Sequence, residues 1–188
     1  MKEPSYGEIR DLVLGELNIS LAAVGEEEIE QLIDIVLSSR RVFFVGVGRV
    51  MLSLQAIAKR WAHLGIDTHL VGEITEPAIT KDDVLIVGSG SGTSFFPAGI
   101  AQIAHKQGAK IVHIGSNPNS GLRDIASLMV RIPVRTKYYL EDEIDSAQPM
   151  TSLFEQSLLL LGDIVAKMII QRRNLDMKAL WQHHANLE

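Results

Sequence analysis

The 188-residue chain contains no cysteine. Disulfides, thiolate catalysis and sulfur-ligated metal sites are therefore excluded, and a reducing, cytoplasmic setting is expected. The chain also has no run of like charge longer than Glu26-Glu27-Glu28, and its net charge is −5. A nucleic-acid or membrane-surface binder would show a clustered basic face, so the expected ligand is a small molecule. No stretch reaches the ~18 apolar residues of a membrane span. Residues 158–170 come nearest, but Asp163 and Lys167 interrupt them. Residues 1–10 mix charge with Pro4 and Gly7 and lack the apolar core of a signal peptide.

Some nucleotide signatures are missing as well. There is no Gly-Lys-Ser or Gly-Lys-Thr, and Gly46-Val47-Gly48-Arg49 lacks the third glycine of a dinucleotide fingerprint, with only Glu73 as a poor match for its acidic partner. No cofactor is expected. Six histidines are present, but their spacing suggests no metal site.

What the chain does have is a repeating alternation of short apolar runs and helical patterns. Helices are predicted over 9–24 and 28–37, then a strand over 42–45, a helix over 52–64 closed by Gly65, and a strand over 68–71. The pattern continues with a strand over 84–87, a helix over 97–107, a strand over 111–114, a short helix from Leu122 and a strand over 128–132 that Pro133 limits. The segment 135–146 is polar and aperiodic and reads as the least ordered part, a loop or lid. A long apolar helix over 149–170 follows, with a short one over 176–181. Strands separated by helices imply a parallel sheet covered on both faces. The expected fold is a three-layer α/β/α sandwich around a five-stranded parallel sheet, one domain over 1–188 with N-terminal helices in 8–39 and C-terminal helices in 149–182.

Residues 84–94 carry the strongest functional signal. Val84-Leu85-Ile86-Val87 runs into Gly88-Ser89-Gly90-Ser91-Gly92-Thr93-Ser94, a loop of glycines and hydroxyls ahead of a helix. Such a loop turns its amides and hydroxyls toward an anion at the positive end of the helix dipole; the alternative is a simple turn. In an open parallel sheet, ligands bind beyond the carboxyl ends of the strands. There, Gly48 and Arg49, the serine loop and Ser116-Asn117 would surround one phosphorylated ligand. Arg49 reads either as a phosphate or sugar ligand or as a surface residue at a helix start.

The combination of Gly46-Val47-Gly48-Arg49, Lys59-Arg60-Trp61-Ala62-His63-Leu64-Gly65, the serine loop, Ser116-Asn117-Pro118, Gln148-Pro149-Met150-Thr151-Ser152-Leu153-Phe154-Glu155 and His184-Ala185-Asn186-Leu187-Glu188 resembles the sugar isomerase (SIS) domain family and, within it, the 6-phospho-3-hexuloisomerases. The likeness runs from about residue 40 to the end and implies a flavodoxin-like fold and a sugar-phosphate isomerase. It also implies that Ser89, Ser91 and Ser94 hold the phosphate with the Thr93 amide, that Glu155 is the base, and that a homotetramer forms with active sites at its interfaces. Two positions depart from the family pattern: Val50 stands where serine is usual, and Thr93-Ser94 where glutamate-threonine is usual.

Moving a carbonyl between C3 and C2 of a ketose phosphate needs one base that takes a proton from carbon and returns it to the neighbour. A carboxylate in apolar surroundings suits this task. Glu155 sits beside Phe154, Leu158 and Leu159; the alternative is an exposed glutamate balancing a helix dipole. A histidine would assist with the hydroxyl proton, and His63 and His184 are the candidates. The rival class is a non-catalytic sugar-phosphate sensor, although no helix-turn-helix segment precedes the domain; a third reading is an isomerase of another phosphosugar, such as an arabinose or heptose phosphate.

Overall fold

The computed structural model describes residues 3–187; Met1 and Lys2 of the N-terminal segment and Glu188 of the tail motif lie outside the described residues. Two helices come first, α1 (Tyr6–Ala22) and α2 (Glu26–Ser38), followed by β1 (Val42–Val45), α3 (Gly48–Ala62) and β2 (Thr68–Leu70). The chain then forms β3 (Val84–Gly88), α4 (Phe95–Lys106), β4 (Lys110–Gly115), β5 (Leu128–Arg131), α5 (Ser152–Arg172) and a 3₁₀ turn, Ala179–His183. All strand pairs are parallel, in the order β2-β1-β3-β4-β5.

Alternation along the strands sorts their side chains into two cores. Val42, Phe44, Val84, Ile86, Val112 and Ile114 pack with α2, α3 and α5 on one face. Phe43, Val45, Leu85, Val87 and Ile111 meet Ala101 and Ala104 of α4 on the other. Because both faces are covered, the central strands read as unbroken apolar runs. This is the three-layer α/β/α architecture, with its helices divided unequally.

The expectation that helices separate all five strands fails at two connections. Residues 71–83 join β2 to β3 through turns, and the helix expected from Leu122 is a string of turns, with Arg123 N–H donating to the Ser120 carbonyl and Ile125 N–H to that of Leu122. Leu122 is fully buried in the α4-side core, so its apolar signal came from packing and not from helical periodicity. The long C-terminal helix starts at Ser152 rather than at 149, because Met150 takes a left-handed conformation (φ 54°) that interrupts helical geometry. The terminal helix expected over 176–181 forms instead as the later 3₁₀ turn.

α3 and α5 run side by side in the same direction. A side chain at Gly162 would overlap Ile57, so only glycine permits this approach, and the Trp61 indole uses it to donate to the Gly162 carbonyl (3.0 Å). The packing matters for function because it fixes the first turns of both helices at the same edge of the sheet. At the opposite ends of β1 and β3, buried Asp83 accepts from Arg41 Nε (3.0 Å), Arg41 Nη2 (2.9 Å) and the amide and hydroxyl of Thr80. Burial alone would raise the Asp83 pKa, but these donors outweigh it and hold the carboxyl below its usual range.

Candidate active site

A cavity of ≈ 580 Å³ opens beyond the carboxyl ends of β1 and β3. The chain reaches it from four places: the start of α3 with Gly48, Arg49 and Val50, the serine loop with Ser89, Gly90, Ser91 and Ser94, the Thr136-Lys137 turn, and the start of α5 with Thr151 and Glu155. Elements more than 100 residues apart in sequence thus converge on one volume.

The loop owes its shape to hydrogen bonds it makes with itself. Gly92 N–H donates to the carbonyl and hydroxyl of Ser89 (both 3.1 Å) and Thr93 N–H to Ser91 Oγ (3.4 Å). Gly92 has φ +65°, and a Cβ there would overlap Ser120. Ser94 is the N-cap of α4 but makes no side-chain capping bond. Its hydroxyl accepts from Ser89 Oγ (3.5 Å), and the first amides of α4 have no partner within the helix, the arrangement that suits an anion.

Glu155 lies in the first turn of α5 and is only 7% exposed, so it is not the solvated glutamate of the alternative reading. Thr151 Oγ1 donates to its Oε1 (2.8 Å), Arg49 Nε donates to Oε2, and Ser53 Oγ donates to its main-chain carbonyl (2.9 Å). The carboxylate is held from both sides, facing the cavity.

Several expected ligands occupy other places. Arg49 lines the cavity as expected, and its Nε donates to Glu155 rather than to the serine loop. Ser116 and Asn117 stand behind the loop: Ser116 Oγ donates to Glu143 (2.9 Å) and Asn117 Nδ2 to the Ser91 carbonyl (3.2 Å). They brace the loop because β4 delivers them, already buried, beneath it. Thr93 turns its hydroxyl away to Tyr138 (2.8 Å) and, with its amide on Ser91, does not line the cavity.

His63 and His184 come together, but elsewhere. Their rings stack at 5.1 Å, with Trp181 5.0 Å beyond His184, beside a second cavity of ≈ 400 Å³. His63 caps the far end of α3, and the 14 residues from Arg49 make that about 20 Å at the helical rise. One protomer therefore does not bring these histidines to its own Glu155. Burial, then the charges of Lys59 and Arg60, keep the His63 pKa below its usual value, and its Nε2 has no hydrogen-bond partner among the described residues.

Two participants were not anticipated. His113, on β4, is almost fully buried under the serine loop and its Nε2 lies 2.9 Å from the Ser89 carbonyl. Burial pushes its pKa down against the opposing effect of that bond, so the neutral ring supports the loop as a donor. Lys137 reaches the cavity from the polar segment; a lysine inside an aperiodic charged stretch offered no pattern to mark it. That segment is also better anchored than expected. Glu143 accepts from Thr136 N–H and Oγ1 and from Leu140 N–H, and Glu16 of α1 accepts from Ser146, Ala147 and Gln148. Among the described residues, no three metal-ligating side chains converge, and no helix is long and apolar enough to cross a membrane.

No family model matches the chain. Among curated proteins it is 38% identical over 176 residues to the 3-hexulose-6-phosphate isomerase of Bacillus subtilis, covering 94% of this chain and 95% of that protein. It is 37% identical over 177 residues to the 3-hexulose-6-phosphate isomerase of Mycobacterium gastri, covering 94% and 88%. A crystal structure from Methanococcus jannaschii, described as inferring the function of a 3-hexulose-6-phosphate isomerase, matches with a TM-score of 0.82 at 30% identity, over 96% of this chain and 99% of that one. With identity at this level across nearly the whole of both chains, the protein belongs to the 3-hexulose-6-phosphate isomerase family.

Proposed function

We propose that this protein is a sugar-phosphate isomerase that interconverts D-arabino-hex-3-ulose 6-phosphate and D-fructose 6-phosphate. The observation that carries the reading is a buried, doubly held carboxylate, Glu155, facing the same cavity as the hydroxyl- and glycine-rich loop at the start of α4. The curated relatives supply the substrate class.

In this reading Ser89, Ser91 and Ser94, with Gly90 between them, receive the phosphate ester. Glu155 removes the proton from C2 of the hexulose, the electrons form a C2–C3 cis-enediol as O3 gains a proton, and Glu155 returns a proton to C3 while O2 gives up its own. Glu155 carries the carbon-bound proton from C2 to C3, a second acid–base group carries one proton to O3 and takes one from O2, and the redox change is internal to the substrate, so no outside oxidant or reductant enters the scheme. Arg49 and Thr151 keep the carboxylate aimed at both carbons. Gly48 starts α3 at the cavity wall.

The hydroxyl protons need a second group. We assign it to His63 or His184 of a neighbouring copy, because within one protomer both lie at the far end of α3. Supporting an assembly, α1 exposes Ile9, Leu12, Leu14 and Ile19, and α4 exposes Phe95 and Phe96. The reading is of a cytoplasmic homotetramer with active sites at its interfaces, serving the ribulose monophosphate pathway, and of a single sugar isomerase domain over 1–188.

The test is ¹H and ³¹P NMR of the protein with enzymatically prepared hexulose 6-phosphate. Appearance of fructose 6-phosphate is expected. Binding without turnover would point to a sugar-phosphate sensor, and turnover only of another phosphosugar would replace the substrate. Light scattering tests the tetramer, and a monomer with full activity would rule out the interfacial histidines.

A further inference from the structure

Three charged side chains line the cavity beside the serine loop among the described residues: Arg49, Lys137 and Glu155. Arg49 and Glu155 are paired with each other, so their charges cancel where a ligand would lie. A phosphate monoester carries close to two negative charges at neutral pH. The serine hydroxyls and helix amides provide donors but no full positive charge.

Lys137 has no ion-pair partner among the described residues. Its Nζ rests 5.2 Å from the ring centroid of Tyr138, a contact worth roughly 0.5–1 kcal/mol at an exposed site and readily exchanged for an anion. We propose that Lys137 is the counter-charge for the substrate's phosphate ester and selects phosphorylated over plain sugars. The inference rests on the sugar-phosphate reading above and names a further residue of that same site.

The turn that carries Lys137 is held against the serine loop. Glu143 accepts from Thr136 N–H (3.0 Å), Thr136 Oγ1 (2.9 Å) and Leu140 N–H (3.0 Å), and its Oε1 also takes the Ser116 hydroxyl (2.9 Å). Tyr138 OH meets Thr93 Oγ1 at 2.8 Å, tying the turn directly to the loop. Thr136 packs over Gly90, where a Cβ would come within 3.2 Å of Thr136 Cγ2. The backbone of residue 137 is therefore fixed beside the serines while its four-carbon stem remains free to swing.

Lys137 is exposed and makes no hydrogen bond that the fold needs, so Lys137→Met should fold normally. Calorimetry with inorganic phosphate and with fructose 6-phosphate should show Kd raised about tenfold or more for both ligands. KM for the sugar phosphate should rise in step, kcat should stay within about threefold of wild type, and Lys137→Arg should restore most of the affinity.

Inorganic phosphate binding is read without turnover, which separates this inference from the reading beneath it. Unchanged phosphate affinity in Lys137→Met overturns the role of Lys137 alone, even if the wild type isomerises. A wild type that binds phosphate through Lys137 without isomerising overturns only the enzyme reading. A wild type with no phosphate affinity overturns both.

Discussion

Replacing Glu155 by Gln isolates the chemistry of one carboxylate from its shape. Glutamine is isosteric, and its amide oxygen can keep the 2.8 Å bond from Thr151. Its amide nitrogen would then face Arg49, donor against donor. The Arg49 side chain is 65% exposed and can turn into water, so the lost ion pair costs at most about 1 kcal/mol. For a chain of this size that lowers Tm by only ~2–4 °C. The catalytic loss should be far larger. Glu155 is the one carboxylate lining the cavity among the described residues, and removing a general base costs roughly 10²–10⁴ in rate. A thousandfold loss corresponds to ~4 kcal/mol of barrier. The assay is NMR of hexulose 6-phosphate conversion together with calorimetric binding of fructose 6-phosphate. Turnover should fall at least a hundredfold while Kd moves by less than about threefold. Turnover within tenfold of wild type would refute Glu155 as the base.

Two further predictions concern the serine loop. Gly92→Ala places a Cβ onto Ser120 in a left-handed backbone at φ +65°, costing about 2–4 kcal/mol; calorimetric scanning should show Tm lower by roughly 5–15 °C, and phosphate affinity should fall with it. His113 is held neutral in the folded protein because burial depresses its pKa, whereas the unfolded chain takes up a proton below about pH 6.5. Its contribution to stability is thus complete above that pH and is lost as the pH falls toward the folded pKa. Urea midpoints between pH 7.5 and 5.5 should fall more steeply for wild type than for His113→Gln, which keeps a donor for the Ser89 carbonyl. Equal slopes would show that His113 is not the titrating support.

Most of the scaffold was legible because burial on both faces writes itself into strands as unbroken apolar runs, as in Val42-Phe43-Phe44-Val45. Helix existence was legible for the same reason, but the first turns were not. α3 starts at Gly48 and α4 at Phe95, ahead of the apolar periodicity, because a first turn is fixed by the preceding loop and contributes little to the core. The turn segment around Leu122 failed in the opposite way, since a single buried leucine imitates the start of a helical pattern.

The site divides along a similar line. Ser89, Ser91, Ser94 and Glu155 were legible because hydroxyl-glycine loops and a carboxylate at the head of an apolar helix carry their chemistry in local sequence. Arg49 was legible as a residue of the site but its partner was not, since Glu155 is 106 residues away; His113 was missed because Ser89 lies 24 residues from it, and Lys137 because an aperiodic charged stretch does not mark which side chain reaches the cavity. Ser116 and Asn117 show the converse, since their polar identity suggested ligands while their burial makes them supports. The parallel packing of α3 and α5 through Gly162 decides the outcome. It brings Arg49 to Glu155 at one edge of the sheet and carries His63 to the other, so a single protomer holds Glu155 at one end and the histidines at the far end. In the proposed scheme the histidine that serves Glu155 therefore comes from another copy, and an active monomer would refute that assignment.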